Sequence, residues 1–267
     1  MKETLSNITK DYLYRLLKEG KRIDGRDLME YRDLEIEPDW ASSAEGSARV
    51  KLGDTDVIVG VKMDVGEPFP DTPKQGVLTT AAELIPMASP EYESGPPGED
   101  ATELARVVDR GIRESDAVDT AKLCIEEGEK AWIVFIDIHV LDFDGNLFDA
   151  AGVGAMTALL DAEVPASDFD EAEEEEDYPL PVEHVVVPTT FTKIKDQIIL
   201  DSQLEEEKIA DARLTVTFNE NDEIVAMQKG LRGVFKYEDT LDCVEKSKEF
   251  GNELRERIMD EIDRENI

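Results

Sequence analysis

The sequence predicts an α+β fold built from two similar halves, each a mixed sheet with helices packed on it. Three observations predict it. Alternating or continuous apolar runs of strand length recur along the chain, as in GSARVKLGDTDVIVGVKMDV and DARLTVTF. Apolar residues at helical spacing appear between and after these runs, notably in residues 100–115 and 241–262. The order reads α, β hairpin, β, α, β, α, then β, hairpin, α, so a sheet followed by a helix occurs twice. The repeat is one of order only. The halves are expected at 1–165 and 183–267, packed as one unit, with an acidic linker at 166–182.

The first helix is expected to place Leu5, Ile8, Tyr12, Leu13, Leu16 and Leu17 on one face and to stop at Glu19-Gly20. A basic turn, KRIDGRDLMEYRDLEIEP, leads into extended chain, and a hairpin follows that turns at Gly53 to Asp56. Another extended run comes next, and Pro and Gly cluster from Pro86 to Gly98 as a loop. The helix DATELARVVDRGIRES buries Leu104, Val107, Val108 and Ile112. KAWIVFIDIHVLD reads as a buried strand with His139 satisfied in the core or at an interface. An Asp-Gly turn then opens a helix of small residues, suited to close packing. Gly152 and Gly154 sit inside that helix rather than in the turn before it, which excludes a dinucleotide fingerprint. The run Asp168 to Asp177 is a solvated acidic loop. Beyond it come three or four strands, with a hairpin at Asn219 to Asp222. A last helix is expected to use Leu241, Val244, Phe250, Leu254, Ile258 and Ile262.

The 29 Lys+Arg against 64 Asp+Glu give a net charge of −35. Disorder does not explain it, because 40% of residues are hydrophobic and periodic. An acidic tail does not either, because the acid runs through every segment. The charge reads as adaptation to a salty cytoplasm, where the screening length falls to about 3 Å at 1 M salt. Such a charge masks the averaged basicity by which nucleic-acid binding is usually recognised. Cys124, Cys243, His139 and His184 are the only Cys and His, and none has zinc spacing. Neither a metal nor another cofactor is expected. The N-terminus lacks a signal-peptide layout and no apolar run reaches membrane-spanning length, so a cytoplasmic protein without membrane contact is expected.

Five segments in order carry a resemblance: KRIDGRDLMEYRDLEIE, GSARVKLGDTDVIVGVKMDV, TELARVVDRGIRES, VLDFDGNLFDAAGVGAMTALLDAEVP and TTFTKIKDQIILDSQLEEEKIADARLTV. Together they resemble the RNase PH family over about residues 5 to 260. The resemblance implies the RNase PH-like fold, two βαβα-type halves of the ribosomal protein S5 domain 2-like kind. It extends to the core ring of the archaeal exosome, in which two RNase PH-like subunits alternate, and the chain looks like the non-catalytic one. The implied partners are the catalytic RNase PH-like subunit (a trimer of heterodimers), RNA-binding cap subunits with S1/KH-type modules, and single-stranded RNA.

Family members that phosphorolyse RNA hold phosphate on a Gly-Gly-Thr/Ser-Arg turn opening a small-residue helix, where helix N–H groups and a guanidinium meet the anion. The matching run here is Gly145-Asn146-Leu147-Phe148, with Asp149 next. The hydroxyl and arginine are gone, and an acid follows. Active members also carry two aspartates six apart, for a metal or as general acid. Here the second is Asp201 and the first falls on Lys195; Asp196 sits one residue on, where a strand would point it to the other face. Arginines expected before the helix at 100–115 are replaced by Gly98-Glu99-Asp100-Ala101-Thr102. The resemblance therefore implies no catalytic residue.

Arg106, Arg110 and Arg113 share one helix face. They form either a surface ladder with Glu103 and Glu114 or a contact to RNA phosphates; the resemblance favours RNA, because the equivalent helix faces the processing chamber. Arg22, Asp24, Gly25 and Arg26 read as a structural turn with a fixed ion pair. Two other activities remain: a self-sufficient phosphorolytic exoribonuclease with an atypical site, or a metal-dependent hydrolase using Asp196, Asp201 and Glu205.

Overall fold

The computed structural model describes residues 6–169 and 176–265, so Leu5 and most of the acidic run lie outside the described residues. Helix α1 (Asn7–Lys18) starts where the Ser6 hydroxyl accepts the Thr9 N–H at 3.1 Å, and it ends at Gly20, whose φ is +72°. Only Leu13 and Leu17 are buried, against Ile194, Ile199 and Ile209. Ile8 is 83% exposed and Tyr12 43%, against expectation. Only the C-terminal half of the helix meets the body of the protein, so the periodic residues of its first turns have nothing to cover.

The first sheet contains β1 (Leu34–Pro38), β2 (Gly46–Leu52), β3 (Thr55–Gly66), β4 (Val77–Leu84), β5 (Cys124–Glu126) and β6 (Lys130–Asp142). Its order is β1-β2-β3-β6-β4, with β5 also on β6. Only β4 runs parallel to β6, because α2 (Glu99–Arg113) lies in the connection between them as a crossover helix. Alternation decides the faces. Val57, Val59, Val61, Trp132, Val134, Ile136, Ile138 and Val140 point inward and are buried. His139 falls on the outer face, half-exposed, with Nδ1 3.4 Å from Glu83. It is a surface residue rather than a core one, because period two puts it out of step with Ile138 and Val140.

The second sheet, β10-β9-β11-β12, is antiparallel throughout: β9 (Val187–Ile194), β10 (Gln197–Leu200), β11 (Ala212–Phe218) and β12 (Ile224–Gly230). Two short strands, β7 (Glu163–Val164) and β8 (Tyr178–Pro179), pair with each other before it. Helix α3 (Leu147–Asp161) lies between the two sheets, and every residue from Leu147 to Leu159 is buried. Gly152 and Gly154 are about 200° apart around the axis. A Cβ at Gly152 would overlap Pro188 of the second sheet, and one at Gly154 would crowd Val59 of the first. A helix buried on all sides is apolar all round, and here it is also slim on both sides.

Helix α4 (Leu204–Glu207) is a single turn after β10. Helix α5 (Tyr237–Glu265) packs on β9, β11, β1 and α3. Cys243, Ser247, Gly251, Leu254 and Ile258 form its buried stripe, whereas Leu241, expected inside, is 45% exposed. The helix begins before the sheet reaches under it. Leu254 and Ile258 join the core formed by the first sheet and α3, which ties the two halves together.

Candidate functional site

The Asp-Gly turn between β6 and α3 has the shape of an anion cradle and is filled from within. Gly145 (φ +88°) and Asn146 (φ +49°) bend the chain, and the Thr55 hydroxyl donates to the Gly145 carbonyl at 2.7 Å. The Asn146 N–H, at the helix entrance, donates to Glu207 Oε1 at 2.7 Å. Burial pushes the Glu207 carboxyl above its ordinary range. A Cβ at Gly145 would strike the Ser202 carbonyl, so the α4 segment sits directly against the turn. Leu147 and Phe148 are buried, and the Arg213 guanidinium stacks 3.9 Å from the Phe148 ring centroid. Arg213 reaches on to Glu103 at 2.7 Å.

Asp149 turns inward rather than toward the turn's mouth. Its carboxylate accepts from Tyr31 Oη (2.8 Å), Asn146 Nδ2 (2.9 Å), Thr190 Oγ1 (2.7 Å) and the Thr190 N–H (3.0 Å). Complete burial still pushes its pKa up to about 6. Asp149 and Glu207 thus supply negative charge where the macrodipole of α3 is positive, the role an external anion would play.

Asp201 is the hub of a buried arginine network. Arg32 donates to it from the backbone (2.8 Å), from Nε (2.9 Å) and from a terminal nitrogen (2.8 Å). Arg26 adds a bond at 2.9 Å, and Asn146 Nδ2 another at 2.9 Å. Burial alone would raise this carboxyl; Arg32 outweighs it and holds the group below the ordinary range. Beside it, Arg22 forms a two-pronged pair with Glu206 at 3.0 and 2.5 Å and donates to the carbonyls of Leu200 and Asp201. Arg26 also pairs with Asp24 at 2.6 Å, so the Arg22–Arg26 turn is structural as its residues suggested. Both carboxylate oxygens of Asp201 are thus engaged by guanidiniums. Lys195 and Asp196 form the two-residue turn between β9 and β10, not a strand position, because Ile194 pairs directly with Gln197. The strand-slip argument therefore does not apply. Asp196 stands a whole strand away from Asp201, roughly 15 Å at strand rise.

Helix α2 presents the contrasting surface. Arg106 and Arg110 line an open cleft of about 650 Å³ with Thr102, Glu99, Glu103 and Gln228. Both arginines are exposed, and neither has a carboxylate within ion-pair distance among the described residues. Arg110 comes within 3.5 Å of Gln228. Glu103, the expected partner of Arg106, is held by Arg213 instead. Arg113 departs from the cleft: it forms the i, i+4 pair with Asp109 at 2.7 Å and donates to the Leu78 carbonyl at 2.9 Å. Gln228, on β12, closes the cleft from the other half. Its distance in sequence left it without a signal.

Comparison with known proteins accords with this geometry. The model of the 3′ exoribonuclease family matches in both its parts, domain 1 over residues 30–165 and domain 2 over residues 184–249. The exosome complex component Rrp42 of Thermococcus kodakarensis is 51% identical over 267 residues, covering 98% of each chain. A chain of the Archaeoglobus fulgidus exosome with RNA bound to the active site superposes with a TM-score of 0.91 at 49% identity, covering 94% of this chain and 98% of that one. A chain of an archaeal exosome core gives 0.87 at 46%, over 95% and 97%. The chain belongs to the 3′ exoribonuclease (RNase PH) family.

Proposed function

We propose that the chain is the non-catalytic member of an archaeal exosome core ring. It pairs with the catalytic RNase PH-like subunit, three such pairs forming a hexamer in the cytoplasm, with RNA-binding cap subunits above. The sealed turn at α3 carries the reading: Leu147 and Phe148 stand where phosphate donors are needed, and Glu207 occupies the Asn146 N–H. Removing the anion site removes the nucleophile of phosphorolysis. Likeness to proteins named as exosome components supports the ring assignment.

Its second task is to guide single-stranded RNA along α2. In a chain of net charge −35, Arg106 and Arg110 have no carboxylate within ion-pair distance among the described residues and line an open cleft of about 650 Å³. Their contacts are sequence-independent and salt-sensitive. Arg113, paired with Asp109 outside the cleft, contributes little to this contact. The test is RNA binding and degradation by the ring reconstituted with the catalytic subunit, before and after Arg106→Glu with Arg110→Glu. The reading expects an intact ring that binds RNA more weakly. Unchanged binding and degradation would remove the RNA-guiding role.

A further inference from the structure

Glu103 stands three residues before Arg106 on α2, a spacing at which side chains of opposite charge pair along a helix. It also lines the same cleft. Left to its own helix, this acid would neutralise one of the two cations that the cleft presents. Its carboxylate goes instead to Arg213 of β11, 110 residues away in sequence, at 2.7 Å. Among the described residues no other donor reaches that carboxylate. Asp109, the acid on the other side of Arg106, is held twice over: it pairs with Arg113, and Thr80 Oγ1 of β4 donates to it at 3.2 Å.

Three features fix Arg213 in place for Glu103. Its guanidinium lies 3.9 Å from the Phe148 ring centroid, so the planar group is already stacked when the acid meets it. Its side chain is only 14% exposed, so the pair is screened less than one between Glu103 and the exposed Arg106 would be. The third feature is Gly230, the cross-strand neighbour of Arg213 on β12. A Cβ there would stand 2.7 Å from a terminal nitrogen of Arg213. Gly230 is not in the left-handed region, so its backbone does not call for glycine; the guanidinium above it does.

We propose that Arg213 is a positioning residue for the RNA cleft: it draws Glu103 away from Arg106 and so keeps that guanidinium open to phosphate, without touching RNA itself. This rests on the RNA-guiding reading above. The choice of partner follows from order. Arg106 is a long, solvated side chain that must be immobilised to pair, and such exposed pairs are weak. Arg213 is held by Phe148 and by the space over Gly230 before Glu103 arrives. The second half of the chain thereby sets the charge of a cleft whose cations belong to the first half, alongside Gln228 of the same sheet.

The test measures binding of a polyadenylate oligomer, across a range of salt, by the ring reconstituted with the catalytic subunit. Arg213→Ala should weaken binding about threefold at low salt, and the slope of log affinity against log salt should flatten by up to about 1, as for the loss of one phosphate contact. Gly230→Ala, which removes no charge and displaces the guanidinium, should weaken binding in the same direction. Glu103→Gln should restore the affinity of the Arg213→Ala ring toward wild type, and should raise affinity more in that background than in wild type. A merely structural Arg213 would not be rescued in this way, because removing the acid does not rebuild the stack on Phe148. Should Arg213→Ala fail to fold, Gly230→Ala with and without Glu103→Gln carries the same comparison. Equal binding by wild type and Arg213→Ala, or a gain from Glu103→Gln that is the same in both backgrounds, overturns the proposal. If Arg106→Glu with Arg110→Glu leaves binding intact, the RNA-guiding reading fails and the proposal with it. If that double variant binds weakly while Arg213→Ala binds normally, only the proposal fails.

Discussion

The N-terminal turn of α3 and the exposed arginine face of α2 both border the seam between the two halves, and both are places where a helix can face an anion. At α3 the chain supplies the anions itself. Asp149 and Glu207 fill the entrance, and Arg22, Arg26 and Arg32 are bound behind it by Glu206 and Asp201. At α2 the acids are led away: Glu103 goes to Arg213 and Asp109 to Arg113, which leaves Arg106 and Arg110 facing solvent. The two regions have comparable charged groups and differ in which are paired. Pairing converts a site into structure, whereas unpaired groups at a cleft remain available to a ligand.

The largest expected effect breaks the sealed region. Arg32→Ala leaves Asp201 buried beside too few donors and should cost about 3–5 kcal/mol in urea unfolding. A loss under about 1 kcal/mol would mean that the network does not hold the turn.

The next sharpens the role of Asp149. Its pKa is raised in the folded chain, so its contribution is complete below the unfolded value of about 3.9 and is lost as pH climbs through about 6. Asp149→Asn removes that dependence. The stability advantage of wild type over this variant should be larger at pH 4 than at pH 7 by on the order of 2 kcal/mol. A difference independent of pH would place the ionisation elsewhere. Asp201 has the opposite sign, its contribution being lost as pH falls, and is common to both proteins.

The open region is probed by Arg106→Glu with Arg110→Glu in the assembled ring. RNA affinity should fall roughly 10-fold at low salt, and the slope of log affinity against log salt should flatten by about 1–2, because two phosphate contacts are removed. The smallest effect is expected from Arg113→Ala. This exposed i, i+4 pair should be worth about 0.5 kcal/mol or less, with RNA affinity little changed.

Much of this architecture could be read from the sequence because it is local. The face of α2, the β2–β3 hairpin, the all-apolar α3 and the Arg22–Arg26 turn each follow from residues within a few positions of one another. At the α3 turn the sequence showed that the side chains of Leu147 and Phe148 offer an anion no donor. The partner of the Asn146 N–H was not legible. Glu207 is 61 residues from Asn146, and Asp201 is 169 from Arg32; no periodicity links such partners. The stripe of α5 was hidden for another reason. Ser247 and Gly251 are buried because the helix lies close to the sheet, and a pattern of large apolar residues passes over them. The same pattern assigned Ile8 and Leu241 to the interior, where the fold places no surface to receive them.

The claim that the α3 turn is a sealed, inactive anion site is tested most directly by incubating the purified chain alone with a polyadenylate oligomer and inorganic phosphate, and measuring nucleoside diphosphate. The account predicts none above a no-protein control, with release appearing once the catalytic subunit is added. Phosphate-dependent release by the chain alone would contradict it.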